Sequence, residues 1–344
     1  MAETLLSPGV LARENDLSAV TAQPIQAGAA IIGPTVKGPV GIPTLVTSYS
    51  EYTQAFGTTF MSASLQQEFL TSNSAYNYFN NGGTTLLVTR VVSGSFTSAT
   101  STNISGSALS TKTTSFTLKT FGEGAIMNSS GSEVNGALVS GSNDNLRWEI
   151  PQFSTSSGTF TLLVRRGSDT TDQKTVLESF TNLSLDPTAP NYISKVIGDS
   201  YKTVNTSDTT PYVQDNGTYP NRSRYVYISA VNAKTPQYFD NNGDFKGEFT
   251  SSLPQIASGS FESATGQVYF ETAGAAFNEQ IVNSENIQGL NNTNYTTSID
   301  LLSNQDEYIF NSITVPGIMI ETAPSTTTKL INMVQERGDT LAIV

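Results

Sequence analysis

The sequence predicts a mixed α+β chain: an α/β core split by β-rich inserted structure, with an extended N-terminal arm. Three observations carry that reading. Residues 25–92 alternate strand-like and helix-like patterns, as α/β cores do. Residues 93–298 switch to short β-type runs between Ser, Thr, Asn and Gly clusters, the texture of strands and tight turns. Residues 299–344 return to the first texture. At 344 residues the chain suits two or three domains, and the inserted part divides into two with a boundary near 200–220.

The elements follow in order. Residues 1–24 read as an extended arm, punctuated by Pro8, Gly9 and Pro24, with apolar positions that follow no helical period. Ala29 to Gly33 is a short apolar run, consistent with a buried strand. Pro34, Gly38, Pro39, Gly41 and Pro43 then force an irregular connection to a second strand over Thr44 to Thr47. Ser48 is placed to cap a short helix, with Glu51 at capping-box spacing, Tyr52, Ala55 and Phe56 on one face and Gly57 at its end. A second helix is expected over 61–80, with Leu65, Phe69 and Tyr76 on one face, and Leu86 to Val92 is the best buried strand. In the inserted part, strands are expected at Ser115–Lys119, Leu146–Ile150, Thr159–Arg165, Tyr225–Val231 and Gln267–Phe270, with a helical patch at Asn191–Ile197. The core resumes with strands at Tyr308 to Phe310 and Ile313 to Val315. A helix capped by Ser325 and carrying Leu330, Ile331 and Val334 comes next, then Gly338 and a strand from Leu341 to Val344. A chain that stops on an apolar strand inside a βαβ rhythm reads as part of a longer protein, so this return to the core is expected to be truncated.

Composition narrows the chemistry. There is no cysteine and no histidine, which removes disulfides, thiolate sites, cysteine nucleophiles and every Ser-His-Asp triad. The net charge of −12, with no Lys/Arg run, argues against nucleic-acid binding. The pair Arg165 and Arg166 reads as a solvated strand edge. Gly28 to Gly33 has the glycine spacing of a phosphate loop, but Pro34 and Thr35 stand where its lysine and hydroxyl should be. Asp240 to Asp244 hints at a calcium loop, yet its glycine comes fourth rather than sixth, so a polar turn is expected. Arg337-Gly338-Asp339 reads as a helix end, not an adhesion tripeptide. No cofactor, no metal site and no enzymatic activity are expected.

The residues also carry a resemblance. Leu6-Ser7-Pro8-Gly9-Val10, Gly28 to Gly33, Lys37-Gly38-Pro39-Val40, Pro43 to Ser48 and Tyr52 to Gly57 resemble, as an ordered set, the contractile tail sheath family of tailed phages. Phe160 to Gly167, Asn182 to Pro187 with Asn191 to Ile193, Ile313 to Gly317 and Glu336 to Asp339 are similar to sheath proteins of T4-like myophages. Residues 95–145 match least. The resemblance implies a virion structural protein that assembles with itself as homohexameric rings stacked helically around an inner tail tube. On contraction it would drive the tube through the host envelope for genome ejection. It implies further contacts with tail tube, baseplate and tail terminator proteins, with the host envelope met only indirectly. It also implies assembly in the host bacterial cytoplasm and a final place in the virion tail. Within the arm it singles out Leu5, Leu6, Pro8, Gly9, Val10, Leu11, Arg13 and Glu14 as the segment that joins neighbouring subunits. Two other readings stay open on the residues alone: a β-rich surface adhesin or carbohydrate-binding protein, and a carboxylate glycosidase, which needs only two acids.

Overall fold

The structure, a computed structural model, describes residues 24–62, 65–106, 114–124, 133–134, 137–138, 146–167, 169–208, 210–266, 288, 290–321 and 323–344. The arm residues singled out above and the expected strand at Gln267–Phe270 lie outside these.

The core is a three-layer α/β unit. Its five strands are β1 (Ile25–Gly33), β2 (Thr44–Val46), β5 (Leu86–Arg90), β19 (Tyr308–Thr314) and β20 (Leu341–Ile343), in the order β2-β5-β1-β19-β20. The pairs β5/β1, β1/β19 and β19/β20 are parallel, and β2 is antiparallel to β5. Alternate residues serve opposite faces, as strand geometry requires. Ala29, Ile31, Leu86 and Val88 meet Tyr52 and Phe56 of α1 (Tyr49–Phe56) and Ala75 of α2 (Leu70–Asn80). Ala30, Ile32, Leu87, Phe310 and Ile313 meet Tyr295 and Ile299 of α5 (Asn292–Leu301) and Leu330 and Met333 of α6 (Pro324–Arg337).

Local chemistry explains most helix ends. Ser48 Oγ accepts the Glu51 N–H, while the Glu51 carboxylate reaches back to Thr47 N–H rather than to Ser48. Gly57 and Gly338 end their helices at φ +73° and +70°, a region that favours glycine. Helix α6 begins one residue before the expected Ser325 cap, with Pro324 at its first position, where a missing N–H costs nothing. Its buried stripe is Leu330 and Met333, and Ile331 faces outward. The single helix expected over 61–80 is instead a hairpin followed by α2. Strands β3 (Thr59–Ser62) and β4 (Leu65–Glu68) pair antiparallel, and Phe60 stacks on Phe69 at 4.8 Å between ring centroids. A spacing of four fits a helix and a strand equally well, so Leu65 and Phe69 did not discriminate. Tyr76, expected inside, is exposed.

The inserted part is a nine-stranded antiparallel sheet plus two small additions. The sheet holds β6 (Ser98–Ser101), β7 (Ile104–Ser105), β8 (Thr114–Glu123), β11 (Leu146–Ile150), β12 (Phe153–Ser154), β13 (Thr159–Arg166), β14 (Val176–Ser184), β17 (Val226–Val231) and β18 (Ala257–Glu262). Phe116, Phe160, Leu162, Trp148 and Phe261 fill its core, together with Ile193 and Ile197 of α3 (Ile193–Ile197). Strands β9 (Glu133–Val134) and β10 (Ala137–Leu138) extend the β3/β4 hairpin, and β15 (Tyr201–Asn205) pairs, among the described residues, only with β16 (Tyr212–Asn216). A one-turn helix, α4 (Gly247–Thr250), precedes β18.

Arg165 corrects the reading of a solvated edge. It is buried, with Nη1 on Glu149 at 2.8 Å and Nε on Asp169 at 2.7 Å, and Lys174 completes the cluster on Glu149 at 2.7 Å. An arginine at this sheet position is tolerated because two carboxylates neutralise it. Asp240 Oδ1 accepts the Asn242 and Asp244 N–H groups, so that loop is a side-chain-closed turn. Gly28 to Gly33 lies inside β1.

Candidate functional site

Open α/β sheets hold ligands in the crevice at the carboxyl ends of their strands, where neighbouring connections diverge. In this core that place lies between the ends of β1 and β19, and it is filled. Gln288, buried and at φ +55°, spans it: its Oε1 accepts the Leu70 N–H at 2.7 Å and its Nε2 donates to Pro316 O at 3.0 Å. A Cβ on Gly317 would stand 2.8 Å from Gln288 Nε2, and one on Gly33 would stand 2.3 Å from Thr71 Oγ1. The carboxamide therefore caps the first turn of α2, which has no side-chain cap of its own, and ties it to the loop after β19. Among the described residues no group of three or more His, Cys, Asp or Glu could hold a metal ion.

Two other features carry functional weight. One is the joint between core and insertion. Both chain crossings meet there: Thr97 N–H donates to Thr265 O at 3.0 Å, Thr265 N–H donates to Thr97 Oγ1 at 2.9 Å, and Gly124 N–H donates to Thr97 O at 3.0 Å. Phe96 lies between Gly124 and Gly266, where added Cβ atoms would stand 2.6 and 2.5 Å from its ring. The Arg90 guanidinium covers Phe96 at 5.1 Å from the ring centroid. Arg90 is 1% exposed, and its Nη1 donates to Gly38 O at 2.6 Å and Glu123 O at 2.9 Å. The Glu123 carboxylate accepts Val40 N–H at 3.0 Å. Burial brings Arg90 down to about 10 against the opposing pull of Glu123. Burial raises the Glu123 carboxyl, while the Val40 N–H and the Arg90 charge resist that rise. The Lys37-Gly38-Pro39-Val40 segment is thus the core's half of the joint. Farther out, Gln54 of α1 donates to Tyr225 OH at 2.9 Å, and Val213 of the β15/β16 hairpin packs against the core.

The second feature is a half-open sheet face. On the α1/α2 side those helices cover β2, β5 and β1. Leu341 and Ile343 pair in register with Ser312 and Thr314, which in turn pair with Ala29 and Ile31. Ala29 and Ile31 belong to that helix-covered side, so Leu341 and Ile343 point the same way. Beyond β1 no described element covers it: Leu341 is 66% exposed, Ile343 54% and the neighbouring Ile309 37%. The outer edge of β20 pairs with no strand among the described residues. Parallel sheets are ordinarily covered on both faces, and a flat apolar edge invites a further strand.

Arg337 shows why the Arg337-Gly338-Asp339 tripeptide is structural. Its guanidinium is turned inward, donating to Leu302 O at 2.7 Å and Tyr308 O at 2.9 Å and lying 4.4 Å from the Phe310 ring centroid. Sequence reasoning passed over Arg90, Glu123 and Gln288. The available signal for Arg90 was a single charge at the end of a buried apolar run, which must find polar partners inside.

No family model matches the chain, and no curated protein matches it. Among solved structures the chain is similar to a sheath tail protein from Listeria innocua, at 10% identity and TM-score 0.43, over 91% of this chain and 45% of that one. It is also similar to a sheath tail protein from Desulfitobacterium hafniense, at 12% identity and TM-score 0.41, over 98% and 52%. The chain spans about half the length of these two structures.

Proposed function

We propose that this chain is a structural subunit of a contractile phage tail sheath and works by self-assembly rather than catalysis. Copies would stack as hexameric rings around an inner tail tube in the host bacterial cytoplasm. They would become part of the virion tail and, on contraction, drive the tube through the host envelope to deliver the genome. Tail tube, baseplate and tail terminator proteins are the other proposed partners, with no cofactor and no nucleic acid. The observation behind this reading is the apolar face of β19 and β20, which among the described residues is half-open with its edge unpaired, in a chain whose N-terminal motifs resemble sheath proteins. Such an edge suits strand addition, in which backbone hydrogen bonds supply affinity and alternate side chains supply specificity. Within the arm, Glu3 to Asp16 is the proposed donor strand to a neighbour. The test is negative-stain microscopy of the full-length protein. Long tubes are expected, and deletion of residues 1–20 should leave a folded monomer that makes none. Normal tubes from the deleted form would count against the arm.

A second reading, a β-rich surface adhesin or carbohydrate-binding protein, draws on one feature. Phe239 and Phe245 pair across the Asp240–Asp244 turn, and both rings are exposed. Saturable glycan binding by a monomer, lost on Phe245→Ala, would favour it over the sheath.

A further inference from the structure

We propose that Asn242 is a self-modification site, where water converts the asparagine to aspartate and isoaspartate and so opens the turn that holds Phe239 and Phe245 together. The proposal is independent of the sheath reading. An asparagine side chain reacts in this way when three conditions meet. The next residue must lack a side chain, so that its nitrogen can close on the amide carbon. The amide must be free of partners, and the backbone must be able to rotate. The sequence places glycine after Asn81, Asn135, Asn216 and Asn242. Asn135 lies outside the described residues, and the fold separates the other three. The Asn216 amide donates to Thr203 Oγ1 at 3.0 Å and to Gln214 O at 3.3 Å, and a Cβ on Gly217 would clash with Asp199 O, so that backbone is packed in place. The Asn81 amide donates to Asn77 O at 2.7 Å at the end of α2. The Asn242 amide has no hydrogen-bond partner among the described residues, Asn242 is exposed, and no atom lies within 4 Å of a Cβ on Gly243. Only the Gly243 N–H bond to Asp240 O at 3.1 Å must break before its nitrogen can turn.

The chemistry balances with water as the one co-reactant. The Gly243 nitrogen bonds to Asn242 Cγ, the Cγ–Nδ2 bond breaks, and ammonia leaves with the Gly243 proton. Water then opens the resulting succinimide ring. Attack at Cγ gives aspartate; attack at the main-chain carbonyl gives isoaspartate, which routes the backbone through one extra methylene. Either product adds a carboxylate to a turn that already holds Asp240 and Asp244. The turn is closed by Asp240 Oδ1, which accepts the Asn242 N–H at 2.8 Å and the Asp244 N–H at 2.9 Å. A lengthened backbone cannot keep both. Asp240 N–H donates to Asp244 O at 2.8 Å and Lys246 N–H to Tyr238 O at 2.9 Å, which brackets Phe239 and Phe245 as a pair whose side chains share one face. Loss of the turn releases that exposed pair, while Tyr238, buried with its hydroxyl on Thr155 O at 2.7 Å, stays anchored.

The test ages the full-length protein in mildly alkaline buffer, folded and in concentrated urea, and follows each Asn-Gly peptide by mass spectrometry with fragmentation that separates aspartate from isoaspartate. In the folded protein Asn242 should convert about fivefold or more faster than Asn81, the factor that one extra hydrogen bond is worth, and faster still than Asn216. In urea the three rates should converge. Hydrogen exchange at the Asp244 amide should be faster in the isoaspartyl fraction than in fresh protein, and Asn242→Ser should remove that change on ageing. Conversion of Asn81 or Asn216 before Asn242 in the folded protein would overturn the site. The same order and spread of rates in urea would overturn the structural reason for it. Unchanged Asp244 exchange in the isoaspartyl fraction would overturn the opening of the turn.

Discussion

Replacing Arg90 with methionine tests the joint. The substitution keeps a long apolar stem over Phe96 but removes the donors to Gly38 O and Glu123 O. Two hydrogen bonds from a charged donor are together worth about 3–6 kcal/mol, and the stacked cation adds about 1 kcal/mol. Relief of the arginine's own burial acts the other way. Its position at about 10, against an ordinary 12.5, corresponds to roughly 3 kcal/mol. The expected net loss is about 1–4 kcal/mol at neutral pH. The loss also has a pH signature. Glu123 already holds its proton more tightly folded than unfolded, because burial raises it and Arg90 only partly offsets that. Without Arg90 the rise is larger. A carboxyl raised in the folded state penalises folding above its folded value, and the penalty disappears once pH falls below the unfolded carboxylate range. The Arg90→Met deficit should therefore be greatest near neutrality and shrink as pH drops below about 5. Urea unfolding followed by fluorescence of Trp148, which sits in the insertion, and by circular dichroism across that range reads both effects. An unchanged midpoint at neutral pH, or a deficit that does not narrow in acid, would refute the reasoning.

Other substitutions probe the remaining claims. Arg165→Ala leaves Glu149 and Asp169 without their buried partner and should cost about 3–5 kcal/mol in urea unfolding; a loss under 1 kcal/mol would mean the cluster is solvated after all. Burial alone would raise Asp186, but donation from Thr188 Oγ1 and N–H and from the Gln237 and Tyr238 backbone holds it below its usual value. Its contribution to stability is present above the unfolded carboxylate value near 3.9 and is lost as pH falls through the lower folded one. Asp186→Asn should therefore weaken the fold at neutral pH and flatten the acid limb of the stability curve; an unaltered acid limb would exclude Asp186 as its source. Gly338→Ala meets no atom within 4 Å, so only its left-handed backbone opposes it, and the midpoint should fall by about 1 kcal/mol.

The core was the more legible part because its signals are short-range and redundant. A buried β5, a serine-capped α1 and a glycine-ended α6 each state themselves within a dozen residues, and the strand at Leu146–Ile150 carries its own alternation. The sequence failed where two periods coincide, as at Leu65 and Phe69. It also failed where a polar residue's fate depends on distant partners. Arg165 reads as an edge charge until Glu149 and Asp169 are beside it, and Arg90 has no meaning before Gly38 and Glu123 meet it. Gln288 gave no signal at all, since a lone glutamine beside a glycine looks like loop until Leu70 and Pro316 close on it. The half-open face is a topological fact, visible only once Leu341 is placed in register with Ser312.

The most direct test of self-assembly through that face is a charge placed on it. Leu341→Lys with Ile343→Lys, made in the full-length protein, replaces exposed apolar side chains and so should leave circular dichroism and the unfolding midpoint within about 0.5 kcal/mol of the parent. Negative-stain microscopy and sedimentation of the same samples should show tubes for the parent and monomers for the double variant. Tubes of equal length and yield from both proteins would contradict the account.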